Sequence, residues 1–252
     1  MPDTSENEIE LNSAGDDIER DDLVYSVNEP DNYAVEEALR IVEETGGMVT
    51  VVTVGGEDDE EILRREMAMG AKSGVLLSDD SFAGTDGRGI AAILAAFVKR
   101  GHYELILTGV QAEDGAAQVG GMLAALLDYP FASLVNSIEV QHGKLKIGRE
   151  IEGGAREMNE IDLPCVLSIQ TGINEPRYVG MRGIRQVASL PIPTFGAADL
   201  GVNGNASAKK AKVWRTDYFM PPLGKGAEIL EGSAEDQIAK LIELLRSKGG
   251  LQ

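Results

Sequence analysis

Apolar and polar positions along this chain keep two periods, and for the first half of the sequence the two alternate. Residues 48–54 are an apolar, β-branched run ended by Gly55-Gly56, long enough for a strand covered on both faces. A helical pattern over 57–69 follows, then a strand at 74–77, a helix over 89–99, a strand at 104–109 and a helix over about 118–127. Strands and helices of these lengths in strict alternation predict a parallel sheet with crossover helices. Ahead of them, Val35, Ala38, Leu39 and Val42 share one face of a helix that Asp31 or Asn32 can cap and Gly46-Gly47 ends. Residues 6–27 suggest an acidic hairpin, with strands near 8–11 and 23–27 about a Ser13-Ala14-Gly15-Asp16 turn.

The texture changes after Pro130. Short strands are expected at 131–136, 138–141, 144–147 and 165–169, with turns at His142-Gly143 and Gly153-Gly154. Residues 174–211 have loop character. A last helix is well specified: Ser233 as N-cap with Asp236 three residues on, and a stripe of Ile238, Leu241, Ile242 and Leu245. Arg246 and Lys248 lie in its last turn, and Gly249-Gly250 stops it. The expected division is an α/β domain over residues 1–200 and an arm over 201–252 that ends in this helix. A capped amphipathic helix on a loose tether packs either on its own domain or on another chain.

Composition narrows the chemistry. The 252 residues include 30 glycines and 43% hydrophobic residues, enough for one α/β domain of sizeable core. The net charge is −19, and residues 1–61 carry twenty acids against only Arg20 and Arg40. Neutralising a phosphate backbone needs clustered cations, so no nucleic-acid partner is expected. Solubility accounts for the acidity, with docking to a basic partner as the alternative. No apolar run approaches the ~20 residues of a membrane span, and no secretory signal stands at the start, so a cytoplasmic location without membrane insertion is expected. Cys165 is the only cysteine and sits in an apparent buried strand, and His102 and His142 have no assignable partner. A Cys–His pair or a metal site is therefore not expected, nor is a self-contained enzyme. Gly-x-Ser-x-Gly, P-loop and His-Glu-x-x-His motifs are all missing, which leaves reactivity to a cofactor.

In open parallel sheets, ligands sit beyond the carboxyl ends of strands. Val54-Gly55-Gly56 follows one such strand, and the stretch from Thr108-Gly109 to Gly120-Gly121 follows another. Small residues leading into a helix present backbone N–H groups to a phosphate, although Asp114-Gly115 with small neighbours also makes an ordinary turn and cap.

More specific are Gly148-Arg149-Glu150-Ile151-Glu152-Gly153-Gly154-Ala155-Arg156-Glu157, Leu163-Pro164 and Asn174-Glu175-Pro176-Arg177-Tyr178. With Ala34-Val35-Glu36-Glu37-Ala38-Leu39, Ala68-Met69-Gly70-Ala71, and Gly109-x-Gln111-Ala112 continuing to Gln118-x-Gly120, they form blocks in one order along the chain. The whole resembles the β subunit of electron-transfer flavoproteins. The resemblance implies a doubly wound, adenine-nucleotide-binding sheet of the HUP type with a short-stranded excursion. It implies a larger α subunit that holds most of an electron-carrying FAD, and a second adenine nucleotide, AMP or a second FAD, on this chain. Electrons would pass from a flavin dehydrogenase, such as an acyl-CoA dehydrogenase of fatty acid oxidation, to a quinone reductase or similar acceptor. Carried over by position, the nucleotide contacts are Asn28, Glu29, Pro30, Asp31, Val54, Gly55, Gly109, Asp114, Gly115, Ala117, Gln118, Val119 and Gly120. The recognition loop, about 170–190, would meet the dehydrogenase through Tyr178, Met181, Arg182 and Ile184, with Met181 at its apolar tip.

This chain departs from the family pattern in places. Glu113 to Ala117 is a shorter loop than usual, Asn28-Glu29-Pro30-Asp31 stands for Asn-Pro-Phe-Asp, and Asn159 takes an aliphatic position. Family members open on a hydrophobic strand before a Val-Pro-Asp-Thr-like turn; here Met1-Pro2-Asp3-Thr4 opens the sequence, so a central first strand is expected to be missing. Leu77-Ser78-Asp79-Asp80-Ser81-Phe82-Ala83-Gly84-Thr85-Asp86 is similar to a stretch of electron-bifurcating members, as is Val119, whereas Gly87 replaces their threonine. An Asp86-capped helix start explains the same residues without a ligand. A non-redox nucleotide-binding module of the universal-stress type is the rival reading. Such a module should carry a Gly-rich phosphate motif near its last strand and lack Asn-Glu-Pro-Arg-Tyr, the reverse of this chain.

Overall fold

A computed structural model describes residues 2–3, 5–21, 23–112, 115–202, 210–213, 215–222, 224, 226–227 and 229–250. They fall into two compact units: residues 1–9 with 20–216, and residues 10–19 with 217–252.

The first unit is α/β. Helix α1 (Glu29–Thr45) leads to strand β1 (Thr50–Val54), helix α2 (Glu60–Met69), β2 (Ser73–Leu77), α3 (Gly87–Val98), β3 (Leu105–Gly109) and α4 (Val119–Leu127). The alternation expected from the sequence is present, with bounds shifted by one to three residues. The strands form two sheets rather than one, because no ladder joins β1 to β3 among the described residues. One sheet runs β1-β2-β8, wholly parallel, with β8 the two-residue strand Thr194–Phe195. The other runs β3-β7-β4-β5-β6, where β4 is Phe131–Gln141, β5 Lys144–Ile151, β6 Ala155–Asp162 and β7 Cys165–Ile169, parallel at β3-β7-β4 and antiparallel beyond. Strand β7 (Cys165–Ile169) lies between β3 and β4, and all five of its residues are buried.

The excursion differs from expectation in two ways. Residues 131–141 form one strand, β4 (Phe131–Gln141), not two; a bulge with Leu134 at φ 56° bends it between its β7 and β5 pairings. Strand β5 (Lys144–Ile151) pairs with β6 (Ala155–Asp162), which the sequence pattern did not suggest. β6 is a mostly exposed edge strand with Ile161 its one buried residue, so pairing rather than hydrophobic alternation defines it.

Residues 174–211 hold more structure than a loop: α5 (Met181–Val187), β8 and α6 (Ala197–Leu200). These pieces are too short for periodicity to reveal, and they form because Val187, Ala197 and Leu200 are buried. Helix α1 begins at Glu29, ahead of the expected Asp31 or Asn32 cap, with Asn28 in the N-cap position and Pro30 in the first turn. The expected strands at 8–11 and 23–27 are not paired with each other. Single bridges instead join Leu11 to Ile18 and Pro2 to Tyr25.

Four apolar clusters hold the first unit. The helix α1 serves two of them: Ala34 and Tyr33 pack with β3, β4, β5 and β7 residues, while Leu39, Val35, Ala38 and Val42 pack with Leu63 and Met67 of α2. In the second unit, α7 (Ala234–Ser247) has the expected capping box: Asp236 N–H donates to Ser233 Oγ at 3.2 Å, and Ser233 N–H to Asp236 Oδ2 at 3.1 Å. Its stripe is open, with Ile238 58% and Leu241 48% exposed.

Candidate functional site

Two of the segments expected around a nucleotide, residues 28–31 and 109–111, meet at the carboxyl end of β3, while Val54-Gly55 ends β1 in the other sheet. Gly109 N–H donates to Asp31 Oδ1 at 2.6 Å. Asn28 Nδ2 donates to Asp31 Oδ2 at 2.7 Å and to the Gln111 carbonyl at 2.9 Å. The first turn of α1, with Glu29 and Pro30, is thereby fastened to the start of the loop that leads to α4. A methyl at Gly109 would sit 2.8 Å from Asp31 N and 2.9 Å from Pro30 Cβ. This glycine therefore admits the protein's own α1. Gly55 behaves alike: a side chain there would run into the Asp59 carboxylate, which accepts from Gly56 N–H at 2.9 Å. Val54 ends β1, and Gly55 N–H continues the ladder to the Leu77 carbonyl.

Ala112 and residues 115–118 are exposed, with Gly115 (φ 63°) and Ala117 (φ 50°) both left-handed. Asp114 lies outside the described residues. Helix α4 begins at Val119, and Gln118, the residue before it, makes no side-chain cap. The first-turn N–H groups are thus not capped by a side chain, the arrangement that suits an anion. Gly120 is buried, and its lack of a side chain lets α4 lie on Thr108 Oγ1 and Ser168 Oγ.

Helix α3 starts beside this point. A methyl at Gly87 would lie in ordinary contact with the Gln118 and Val119 side chains, and Thr85 Oγ1 is buried without a hydrogen-bond partner. Asp86 is the α3 cap: Oδ1 accepts from Gly89 N–H at 2.9 Å, and Oδ2 accepts from Lys212 N–H at 2.6 Å and from Val213 N–H. Those bonds hold its carboxyl below the usual range, with Lys212 contributing most. Asp79 is engaged likewise, by Ser81 and by Ala197 N–H. The capped-helix reading of 77–86 therefore describes both acids. The uncapped first turn of α4 suits an anion such as the phosphate of an adenine nucleotide, whereas the Thr85 hydroxyl lies against Gly89 in α3's own first turn, and Gly55 and Gly109 offer no extra room.

The second expected surface is separate. Tyr178 is 93% exposed, and Met181, the first residue of α5, is 65% exposed. Arg182 is exposed and Ile184 half-buried. The segment is fixed from below: Arg177 Nε donates to Glu36 Oε2 at 2.8 Å and Nη1 to Glu43 Oε1 at 2.7 Å, while Asn174 Nδ2 donates to Glu37 Oε2 at 2.9 Å. Burial works to raise the Glu36 carboxyl, but hydrogen bonds from Arg177 and Arg40 outweigh it, and the net shift is downward. For Glu37 burial prevails and the carboxyl is raised.

Sequence reasoning missed these buried acids and also Glu66. Glu66 is 6% exposed on α2, and its Oε2 has no hydrogen-bond partner. Burial, with the negative charge of Asp31, pushes it up to about 7. A signal was available, since Glu66 falls on the face of α2 that carries the buried Leu63 and Met67. Among the described residues no cluster could hold a metal ion, and no helix is long and apolar enough to cross a membrane.

A family profile, the electron transfer flavoprotein domain, matches residues 17–200. The chain belongs to the electron transfer flavoprotein family. Within it, the chain is 36% identical to the electron transfer flavoprotein subunit beta of Methylophilus methylotrophus, over 97% of this chain and 95% of that one. The subunit beta of Bacillus subtilis is 33% identical, over 92% and 90% of the two chains. A subunit of the caffeyl-CoA reductase–Etf complex of Acetobacterium woodii, CarD, is 34% identical over 98% and 95%. Among electron transfer flavoproteins this chain thus stands with the beta subunits, which agrees with the family suggested by its sequence blocks.

Proposed function

We propose that this chain is the β half of a heterodimeric electron carrier, which passes electrons from a flavin dehydrogenase to a quinone reductase or similar acceptor. The observation that carries the reading is the exposed pair Tyr178 and Met181 on a segment otherwise anchored to α1 and α2. An apolar tip on a fixed base suits docking to a partner, and methionine accommodates more than one orientation. Arg182 beside it and half-buried Ile184 extend the same surface. The open stripe of α7, Ile238, Leu241, Ile242 and Leu245, is proposed to pack on the α subunit, which would hold most of an FAD.

Bound flavin supplies one-electron chemistry. This chain's part is to bind and orient an adenine nucleotide, AMP or a second FAD, near Asn28 to Asp31, Val54 and Gly55, and from Gly109 to Gly120. Backbone N–H groups of Val119 and Gly120 at the start of α4 would face its phosphate. The proposed location is cytoplasmic.

Co-expression with an electron-transfer flavoprotein α subunit tests the reading. A yellow heterodimer is expected, with one flavin per dimer if the nucleotide is AMP and two if it is FAD. A colourless chain that does not associate would overturn it. Met181→Ala should slow reduction by the dehydrogenase by about tenfold, the loss of one apolar anchor, with flavin content unchanged.

A further inference from the structure

Residues 178–190 are held at both ends by arginines that reach from or to a different helix. At the entry, the Glu36 carboxylate, almost fully buried on α1, receives four hydrogen bonds: Arg177 N–H, Nε and Nη2, and Arg40 Nε. Arg177 also donates from Nη1 and Nη2 to Glu43, about two turns further along the same helix, so its guanidinium plane is fixed by two carboxylates. Arg40 Nη2 also donates to the Glu175 carbonyl at 3.4 Å. At the exit, Arg64 of α2 donates from Nη1 to the Val187 carbonyl at 2.7 Å and the Leu190 carbonyl at 3.1 Å, the last carbonyls of α5 and of the turn after it. Glu60 pairs with the same guanidinium and orients it. Between the two arginines, Gly183 lets α5 approach to 3.1 Å between its would-be Cβ and the Ala68 carbonyl, and Val179 and Val187 pack into the α1–α2 cluster.

We propose that Arg177 and Arg64 are positioning residues that form a two-ended clamp, holding the 178–190 segment in one pose with Tyr178 and Met181 outward. Seven-residue α5 has too few internal hydrogen bonds to persist alone, so its order comes from these two attachments together with the packing of Val187. A docking surface ordered before encounter spends less free energy on binding than one ordered during it. The use of the segment in docking rests on the function proposed above; the clamp itself does not.

Native-state hydrogen exchange of the full chain, read by mass spectrometry, tests the clamp without any partner. Arg177→Gln and Arg64→Gln should each speed exchange of amides 178–190 by about tenfold or more, while those of β7 stay within about twofold. Arg177→Lys, which keeps the charge but not the fork, should fall between. Glu43→Gln removes only the exposed arm of the pair, so it keeps the fold and should give a smaller rise in the same amides. Equal acceleration in β7 and in 178–190 would make these arginines general stabilisers and overturn the clamp, as would unchanged exchange at 178–190 in Arg64→Gln and Glu43→Gln. A confirmed clamp with Met181→Ala inert toward the dehydrogenase would reject the docking role alone.

Discussion

Asp31 Oδ1 accepts the Gly109 N–H at 2.6 Å and so ties the first turn of one helix to the end of a strand 78 residues away. This bond occupies a backbone donor at the very strand end where a ligand would be sought. Asp31→Ala would leave Gly109 N–H without its acceptor, and urea unfolding should show a loss of about 1–3 kcal/mol. Asp31→Asn retains an acceptor for Gly109 N–H but turns a donor toward Asn28 Nδ2, so it should lose less than alanine does without matching the parent. An unfolding midpoint unmoved by alanine would mean that water replaces the bond at no cost.

Glu66 gives the chain a pH signature. Its carboxyl is raised from 4.5 to about 7, so the folded state keeps a proton that the unfolded state releases. Stability should therefore fall as pH rises from about 4.5 to 7 and level off above, a contribution on the order of 3 kcal/mol. Glu66→Gln removes this slope. The stability difference between variant and parent should grow in the variant's favour from pH 5 to pH 8, and a difference independent of pH would refute the assignment.

Gly120 is a contact point between α4 and the sheet. A methyl there would run into Ser168 Oγ and lie 2.9 Å from Thr108 Oγ1, two hydroxyls bonded to each other at 2.9 Å. Gly120→Ala should cost about 1–3 kcal/mol by overpacking. Adding Ser168→Ala removes the obstructing oxygen, so the double variant should recover part of the loss; strict additivity would place the strain elsewhere.

Cys165 is fully buried in β7, and burial pushes its thiol up to about 11. It should resist iodoacetamide at pH 8 in the native chain and react rapidly in urea, because the thiolate is the reacting form. Labelling of the folded chain at the rate of a free thiol would show that β7 opens readily.

Ser233 caps a helix with no buried residue, α7. Ser233→Ala should lower far-ultraviolet helicity, consistent with a loss of about 1 kcal/mol from that helix. Helicity equal to the parent's would mean that the capping box is dispensable here.

The sequence by itself determined the elements whose signals are local. Strands β1, β2, β3 and β7 and helices α2, α3, α4 and α7 were legible because each carries its own apolar period and its own glycine, aspartate or serine punctuation. The Asn174–Tyr178 block was equally legible as a family mark, though not as what it is physically, a set of bonds to Glu36, Glu37 and Glu43. Only the tertiary structure decided the rest. It made an edge strand of the polar residues 155–162, split the strands between two sheets, and turned three glutamates on helix faces into buried groups. It also gave Gly55 and Gly109 to the protein's own Asp59 and Asp31 instead of to open space. Spacing along the chain fixes which face a side chain is on; which group comes to meet it, and at what desolvation cost, depends on partners far away in sequence.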